Sequence, residues 1–179
     1  MRIISGQWRG RTLIAPKGDA TRPTADRTRE ALFSMLTSRL GSFEGLRVAD
    51  FFAGTGALGL EALSRGAAHC IFVEQERVAL DALKANIAKL GAKADVRAAS
   101  VLTLGTAPQP FDLILMDPPY ATGAGSVALD KLGRQGWFSP ATLISIETSK
   151  RENIDVDGFE IDVVRDCGKA RITLLRMVP

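Results

Sequence analysis

Residues 46–59 read Leu46-Arg47-Val48-Ala49-Asp50-Phe51-Phe52-Ala53-Gly54-Thr55-Gly56-Ala57-Leu58-Gly59. The first seven make an apolar run of strand length, and the glycines then turn the chain into a helix running from Ala57 to about Arg65. Strand, glycine turn and helix in that order predict the first βα unit of a parallel sheet. Gly54-x-Gly56-x-x-Gly59 matches the dinucleotide fingerprint, with Glu74 about 20 residues beyond the first glycine. Glycines allow a tight turn and close backbone approach, and an acidic side chain after the next strand can hold ribose hydroxyls. That physics serves any nucleoside cofactor, and the motif alone does not separate a nicotinamide enzyme from a methyltransferase.

Downstream the pattern repeats. Cys70–Glu74 reads as a second strand, followed by a helix from about Glu76 to Leu90 with Leu80, Leu83, Ile87 and Leu90 on one stripe. A short strand near Ala94–Ala98 precedes Phe111–Met116, apolar but for Asp112, as suits a central parallel strand. Thr142–Glu147 is a fifth strand, and Phe159–Val164 with Arg171–Met177 reads as an antiparallel hairpin. Upstream, Gly6, Gly10, Pro16, Gly18 and Pro23 break any helix, and Thr24 can cap one running to about Leu40. The expectation is a doubly wound α/β sheet, mostly parallel, with a C-terminal antiparallel hairpin. Residues 1–41 form a small basic N-terminal extension and residues 42–179 the main domain.

The second informative stretch is Asp117-Pro118-Pro119-Tyr120, directly after the apolar run Phe111–Met116. Two prolines fix φ and remove two backbone donors, so the loop becomes a cluster of acceptors beside an aromatic plate. That suits an exocyclic amine on a planar base, stacked on Tyr120 and donating to Asp117 and the Pro118 carbonyl. Holding those hydrogens turns the nitrogen lone pair toward an incoming methyl. Asp50 favours a methyl donor too, because an anion there suits the ammonium and sulfonium of S-adenosylmethionine and repels a pyrophosphate. His69 is expected at the start of the second strand, solvated rather than catalytic.

Composition sets the frame. The chain has 179 residues, 46% hydrophobic and 24% charged, which is ordinary for one globular domain. Cys70 and Cys167 make neither a disulfide framework nor a metal cluster, and Cys70 is expected as a packed thiol. No stretch is apolar enough to span a bilayer, and the first residues lack a signal-peptide core, so a cytoplasmic protein is expected. The net charge of +3 is unevenly placed: residues 1–30 carry seven basic side chains against three acidic ones. Arg2, Arg9, Arg11, Arg22 and Arg27, interleaved with glycines and Trp8, point to a polyanionic partner.

Asp50–Gly59 followed by Asp117–Tyr120 resembles the class I S-adenosylmethionine-dependent amino-methyltransferases, with their Rossmann-like sheet. The N-terminal Gly6-Gln7-Trp8-Arg9-Gly10-Arg11, Thr21-Arg22-Pro23-Thr24 and Arg29-Glu30-Ala31-Leu32-Phe33 narrow this. They resemble the RsmD family of bacterial 16S ribosomal RNA guanine-N2-methyltransferases over nearly the whole chain. The resemblance implies methylation of one guanine, within an assembling small ribosomal subunit; separately, no metal is expected, and a monomer is expected although the sequence does not set the oligomeric state. Asp50, Phe52, Ala53, Gly54 and Gly56 would then line the methionine end of the cofactor and Glu74 its ribose. Asp117, Pro118, Pro119 and Tyr120 would hold the guanine. Many relatives offer an acid or amide to the cofactor adenine after the third strand, whereas Ala99-Ser100-Val101 stands here, leaving Ser100 and Val101 for that contact. Asp-Pro-Pro-Tyr also occurs in adenine-N6-methyltransferases, so the guanine expectation rests on the N-terminal resemblance. The alternatives are an adenine-N6-methyltransferase, a nicotinamide-dependent oxidoreductase and a non-catalytic RNA-binding assembly factor.

Overall fold

The computed structural model describes residues 1–16 and 23–179. Among them run β1 Arg47–Phe51, β2 His69–Glu74, β3 Asp95–Ala98, β4 Leu113–Met116, β5 Leu143–Ser149, β6 Phe159–Cys167 and β7 Ala170–Met177. These form one sheet in the order β3-β2-β1-β4-β5-β7-β6. The first five strands pair in parallel, and β7 runs antiparallel to both β5 and β6. The chain steps outward from β1 to β2 and β3, then returns to place β4 on the other side of β1. A crevice therefore opens at the carboxyl ends of β1 and β4, where open α/β sheets bind their ligands.

The helices are α1 Pro23–Leu40, α2 Ala57–Ser64, α3 Arg77–Leu90 and α4 Ala124–Arg134. On one face of the sheet, Leu32, Phe33 and Leu36 of α1 share a core with Leu60 of α2, Leu80 and Leu83 of α3, and Val48 and Phe72 of the strands. On the other, Leu129 and Leu132 of α4 pack with Phe51, Ile114 and Trp137. Phe33, Phe51 and Leu60 are fully buried, and each such side chain stabilises by roughly 1.5–3 kcal/mol.

The sequence reading did not anticipate α4. Its buried positions include Gly125 and Ala128, which blunt the apolar signal. Gly125 is small for a reason: a Cβ there would lie 2.4 Å from Ile146 Cδ1 of β5 and 3.2 Å from Pro118 Cγ. Helix α4 can thus press directly on the strand end and the proline loop.

The N-terminal residues are tied to the main domain. Glu61, fully buried in α2, accepts from the Ile4 and Ser5 amides at 2.8 and 3.0 Å. Asn86 of α3 accepts from the Ile14 amide at 2.6 Å and donates to the Thr55 carbonyl at 3.0 Å. A Cβ on Gly6 would sit 1.8 Å from the Ser64 carbonyl oxygen, so this crossing requires glycine. The extension is anchored by polar groups that an apolar periodicity does not reveal.

Candidate active site

A cavity of about 940 Å³ occupies the crevice at the strand ends. Two loops form its floor, one after β1 and one after β4. Each holds a non-glycine residue in left-handed backbone, Phe52 at φ 61° and Ala121 at φ 59°, a conformation that surrounding structure must enforce. Both lie next to the motifs read from sequence.

In the loop after β1, Gly54 has φ 56° and open space where a Cβ would point, so bare backbone faces the cavity. Gly56 is different: a Cβ would lie 2.5 Å from Leu83 Cδ1, and on Gly59 one would lie 2.3 Å from Phe72 Cε1. Those two glycines let α2 close onto α3 and β2. Glu74 locks the loop, one oxygen accepting from the Gly54 amide at 2.8 Å and the other from the Gln75 and Glu76 amides, both at 2.8 Å. Asp50 sits beneath, 1% exposed, with Oδ2 accepting from the Gly59 amide at 2.9 Å and Oδ1 buried without a partner. Burial raises its carboxyl well above the usual range, and Glu74 adds to this, against the pull of the Gly59 hydrogen bond.

The loop after β4 carries Asp117, which opens onto the cavity while protein crowds its carboxyl. Burial first, then Glu147 and Asp50, raise it well above the usual carboxylate range. Tyr120 donates its hydroxyl to Glu147 Oε2 at 2.6 Å and keeps 42% of its surface exposed. Burial, the Glu147 hydrogen bond and nearby carboxylates push this phenol up as well.

Of the residues singled out from sequence, Phe52, Ala53, Gly54, Glu74, Val101, Asp117, Pro119 and Tyr120 line the cavity. Asp50 and Gly56 lie below the glycine loop, and Pro118 is buried under its own. Ser100 turns its hydroxyl to the Leu102 amide at 3.2 Å, capping a short 3₁₀ turn. Arg2, Arg9, Arg11 and Arg27 are exposed and Trp8 is half-buried; Arg22 lies outside the described residues. Arg11 donates to the Lys89 carbonyl at 3.1 Å, and Lys89 donates back to the Thr12 carbonyl at 2.6 Å. Arg29, counted with the basic residues, is instead 5% exposed and donates to the Arg2 carbonyl and to Asp26.

Sequence reading missed Glu147. A lone acid near the end of the apolar run Leu143-Ile144-Ser145-Ile146-Glu147 was its available signal. It also missed two walls of the cavity: Asp26, Thr28 and Arg29 of α1, and the hairpin turn Cys167–Ala170. His69 stands at the opposite end of β2, where it pairs with Asp95 at 2.9 Å.

The chemistry of the cavity is acidic. Amides that would cradle a pyrophosphate in a dinucleotide enzyme donate instead to Glu74 and Asp50. Asp50, Glu74, Asp117 and Glu147 leave room for a cation, and among the described residues no group of three or more His, Cys, Asp and Glu is arranged to hold a metal ion. A sulfonium bearing an ammonium and a nucleoside fits this donor set.

The sequence model of the family described as conserved hypothetical protein 95 matches residues 1–176. The ribosomal RNA small subunit methyltransferase D of Escherichia coli (strain K12) is 39% identical over 150 residues, covering 83% of this chain and 74% of that protein. Its namesake from Haemophilus influenzae is 38% identical over 156 residues, covering 84% and 79%. A solved structure of the Escherichia coli candidate methyltransferase yhhF superposes with a TM-score of 0.85 at 33% identity, covering 99% of this chain and 98% of that one. Sheet order, crevice and these likenesses together define a Rossmann-like methyltransferase. Within that class, the chain belongs to the ribosomal RNA small subunit methyltransferase D (RsmD) family.

Proposed function

We propose that the protein transfers a methyl group from S-adenosylmethionine to the exocyclic N2 amine of a guanine in small-subunit (16S) ribosomal RNA. The observation that carries this is the acceptor-rich floor at Asp117, Glu147 and Tyr120, opposite a glycine loop whose Gly54 amide is taken by Glu74. The cofactor, when bound, supplies an electrophilic methyl on a sulfonium and leaves as the neutral thioether. Phe52, Ala53, Gly54 and Gly56 shape the methionine end, with Asp50 beneath. Glu74, held by three amides, keeps lone pairs for the ribose hydroxyls. Val101, with Ser100 beside it, borders the adenine.

On the receiving side, Tyr120 offers its exposed ring for stacking while Pro118 and Pro119 keep the loop rigid. Asp117 accepts from the amine, orients its lone pair toward the methyl and takes the proton that leaves as the N–C bond forms. Orientation and a fixed anion supply most of the catalysis in such a site. Arg2, Arg9, Arg11 and Arg27, and Arg22 beyond the described residues, supply a cationic surface for RNA phosphates. The half-buried Trp8 sits among them. This surface suits a target folded within an assembling small subunit.

A specific observation favours adenine N6 as the second reading. Asp117, raised well above the usual carboxylate range beside Glu147, offers one donor next to an acceptor when protonated, which matches adenine at N1 and N6. Mapping methylated nucleotides in ribosomal RNA from cells with and without the protein separates the two. Methylated guanine that depends on the protein is expected; methylated adenine in its place overturns the reading. Calorimetry tests the cofactor, with S-adenosylhomocysteine expected to bind and NAD not.

A further inference from the structure

Glu147 is absent from the motifs that identify the site, yet it occupies its centre. Strands β4 and β5 pair in parallel with Met116 opposite Ile146. The next residues, Asp117 just past β4 and Glu147 within β5, therefore sit side by side on neighbouring strands about 4.8 Å apart. The charge of Glu147 is the largest that raises Asp117. Glu147 Oε2 accepts from the Tyr120 hydroxyl at 2.6 Å. A carboxylate anchored by a phenol beside an open cavity is a positioned acceptor. The two acids also differ in place: β4 lies between β1 and β5, so Asp117 is beside the loop after β1 and Glu147 is one strand farther from it. Asp117 thus stands nearer the methyl donor and Glu147 farther from it, along the plate on which a base would stack.

Guanine presents two adjacent donors on its Watson–Crick edge, the N2 amine and N1–H. With the amine directed at Asp117, N1–H falls toward Glu147. We infer that Glu147 is the specificity-determining residue of the site, accepting the N1–H of the target guanine beside the amine that Asp117 holds. This rests on the guanine reading above and adds a second contact that the Asp-Pro-Pro-Tyr motif does not contain. It also gives a physical reason why one tetrapeptide can serve two bases: the neighbour on β5 decides which edge is accepted. An ionised Glu147 takes a donor, whereas a side chain able to donate would take adenine's bare N1.

The probe is RNA carrying, at the mapped position, either guanine or 2-aminopurine. The latter keeps the 2-amine but has a bare acceptor at N1. Parent protein should methylate guanine well and 2-aminopurine poorly. Glu147→Gln turns an amide donor toward N1 and should lower the guanine to 2-aminopurine rate ratio by about 10- to 100-fold, the usual effect of leaving one buried partner unpaired. Tyr120→Phe removes the hydroxyl that anchors Glu147 and should leave that ratio near the parent value even if both rates fall. A Glu147→Gln variant that slows both substrates equally would show that Glu147 only holds Tyr120, and would overturn the inference. A second readout needs only the parent: with S-adenosylhomocysteine bound, the guanine RNA should bind at least about tenfold more tightly than the 2-aminopurine RNA. Equal affinities would overturn the role of Glu147 while leaving guanine methylation standing. A methyl found on adenine instead would remove the guanine reading and this inference together.

Discussion

The two loops of the cavity treat their acids in opposite ways. After β2, Glu74 receives three backbone amides and is satisfied by the chain itself. After β4 and within β5, Asp117 and Glu147 lie on neighbouring strands, and among the described residues the Tyr120 hydroxyl on Glu147 is the one hydrogen bond their carboxyls make. The first arrangement is complete without a ligand and serves to hold a shape. The second sets like charges together, and Glu147 raises the proton affinity of Asp117. A ligand that brings its own donors relieves it. The cofactor half is therefore preorganised scaffolding, and the receiving half is an unfilled hydrogen-bond demand.

The most severe way to break this contrast is Asp117→Asn. The change is nearly isosteric, so fold and S-adenosylhomocysteine affinity should persist. It replaces one acceptor with a donor that faces the amine's own hydrogens, and it removes the anion that meets positive charge growing on nitrogen. Loss of such a positioned partner typically lowers turnover by about 10²–10³. Single-turnover methyl transfer measures it, and kcat should fall far more than cofactor Kd rises. Near-parent turnover would mean that Asp117 only shapes the loop.

Acid should act on the same half. The guanine amine needs Asp117 ionised, and Asp117 is raised well above the usual carboxylate range by burial, Glu147 and Asp50. Activity should hold on the alkaline side and be lost as pH falls through that raised value, by about tenfold per unit once below it. The groups facing the pair are Tyr120, Asp50 and Glu152, with Lys169 on the opposite wall. Glu147→Gln should move this limb toward lower pH by removing the largest charge that raises Asp117. A limb unchanged in that variant would separate the two acids and undo the contrast.

The cofactor half should respond more mildly. Glu74→Ala removes a candidate ribose acceptor and frees the amides of Gly54, Gln75 and Glu76, which water can reach. The loss of a charged partner is worth roughly 1.5–3 kcal/mol, or about 10- to 150-fold in S-adenosylhomocysteine affinity. Turnover at saturating cofactor should stay close to the parent. If calorimetry finds parent affinity in a folded variant, Glu74 is purely a loop brace.

The sequence showed the scaffolding half more fully than the receiving half, for a physical reason. A strand, its glycine turn and its helix are neighbours in sequence, so periodicity and glycine spacing expose them. The Glu74 clamp on Gly54 spans one βα unit and keeps the fingerprint distance. Glu147 meets Asp117 only because β5 pairs beside β4, and no local pattern encodes that pairing. The same holds for Glu61 and Asn86, which look like interruptions of helical stripes until the N-terminal residues dock on them. Arg29 counts among the basic residues near the N-terminus, whereas α1 turns it inward. Helix α4 was hidden because close packing on Ile146 demanded a glycine where a stripe would show a large side chain.

Asp50 stands between the two halves, and the smallest expected effect decides which it joins. Its Oδ2 has the Gly59 amide, as a clamp would, but Oδ1 is buried without a partner; Asp50 feels the charge of Glu74, and Asp117 feels that of Asp50. Burial raises its folded-state carboxyl above the unfolded value, so folding favours the protonated form. The resulting stability is fully present below the unfolded pKa and is lost as pH rises through the folded one. Asp50→Asn keeps an acceptor for Gly59 and cannot ionise. It should therefore melt higher than the parent on the alkaline side, by about 0.5–2 kcal/mol, and near the parent in acid. If Asp50 also opposes the cofactor's positive charges from below, S-adenosylhomocysteine affinity should drop in the variant at the pH where its stability rises. Gain in stability with unchanged affinity would place Asp50 with Asp117 and Glu147 as a structural cost. A variant less stable at every pH would show instead that the carboxylate is well solvated by its surroundings, and would put Asp50 with Glu74 as a clamp.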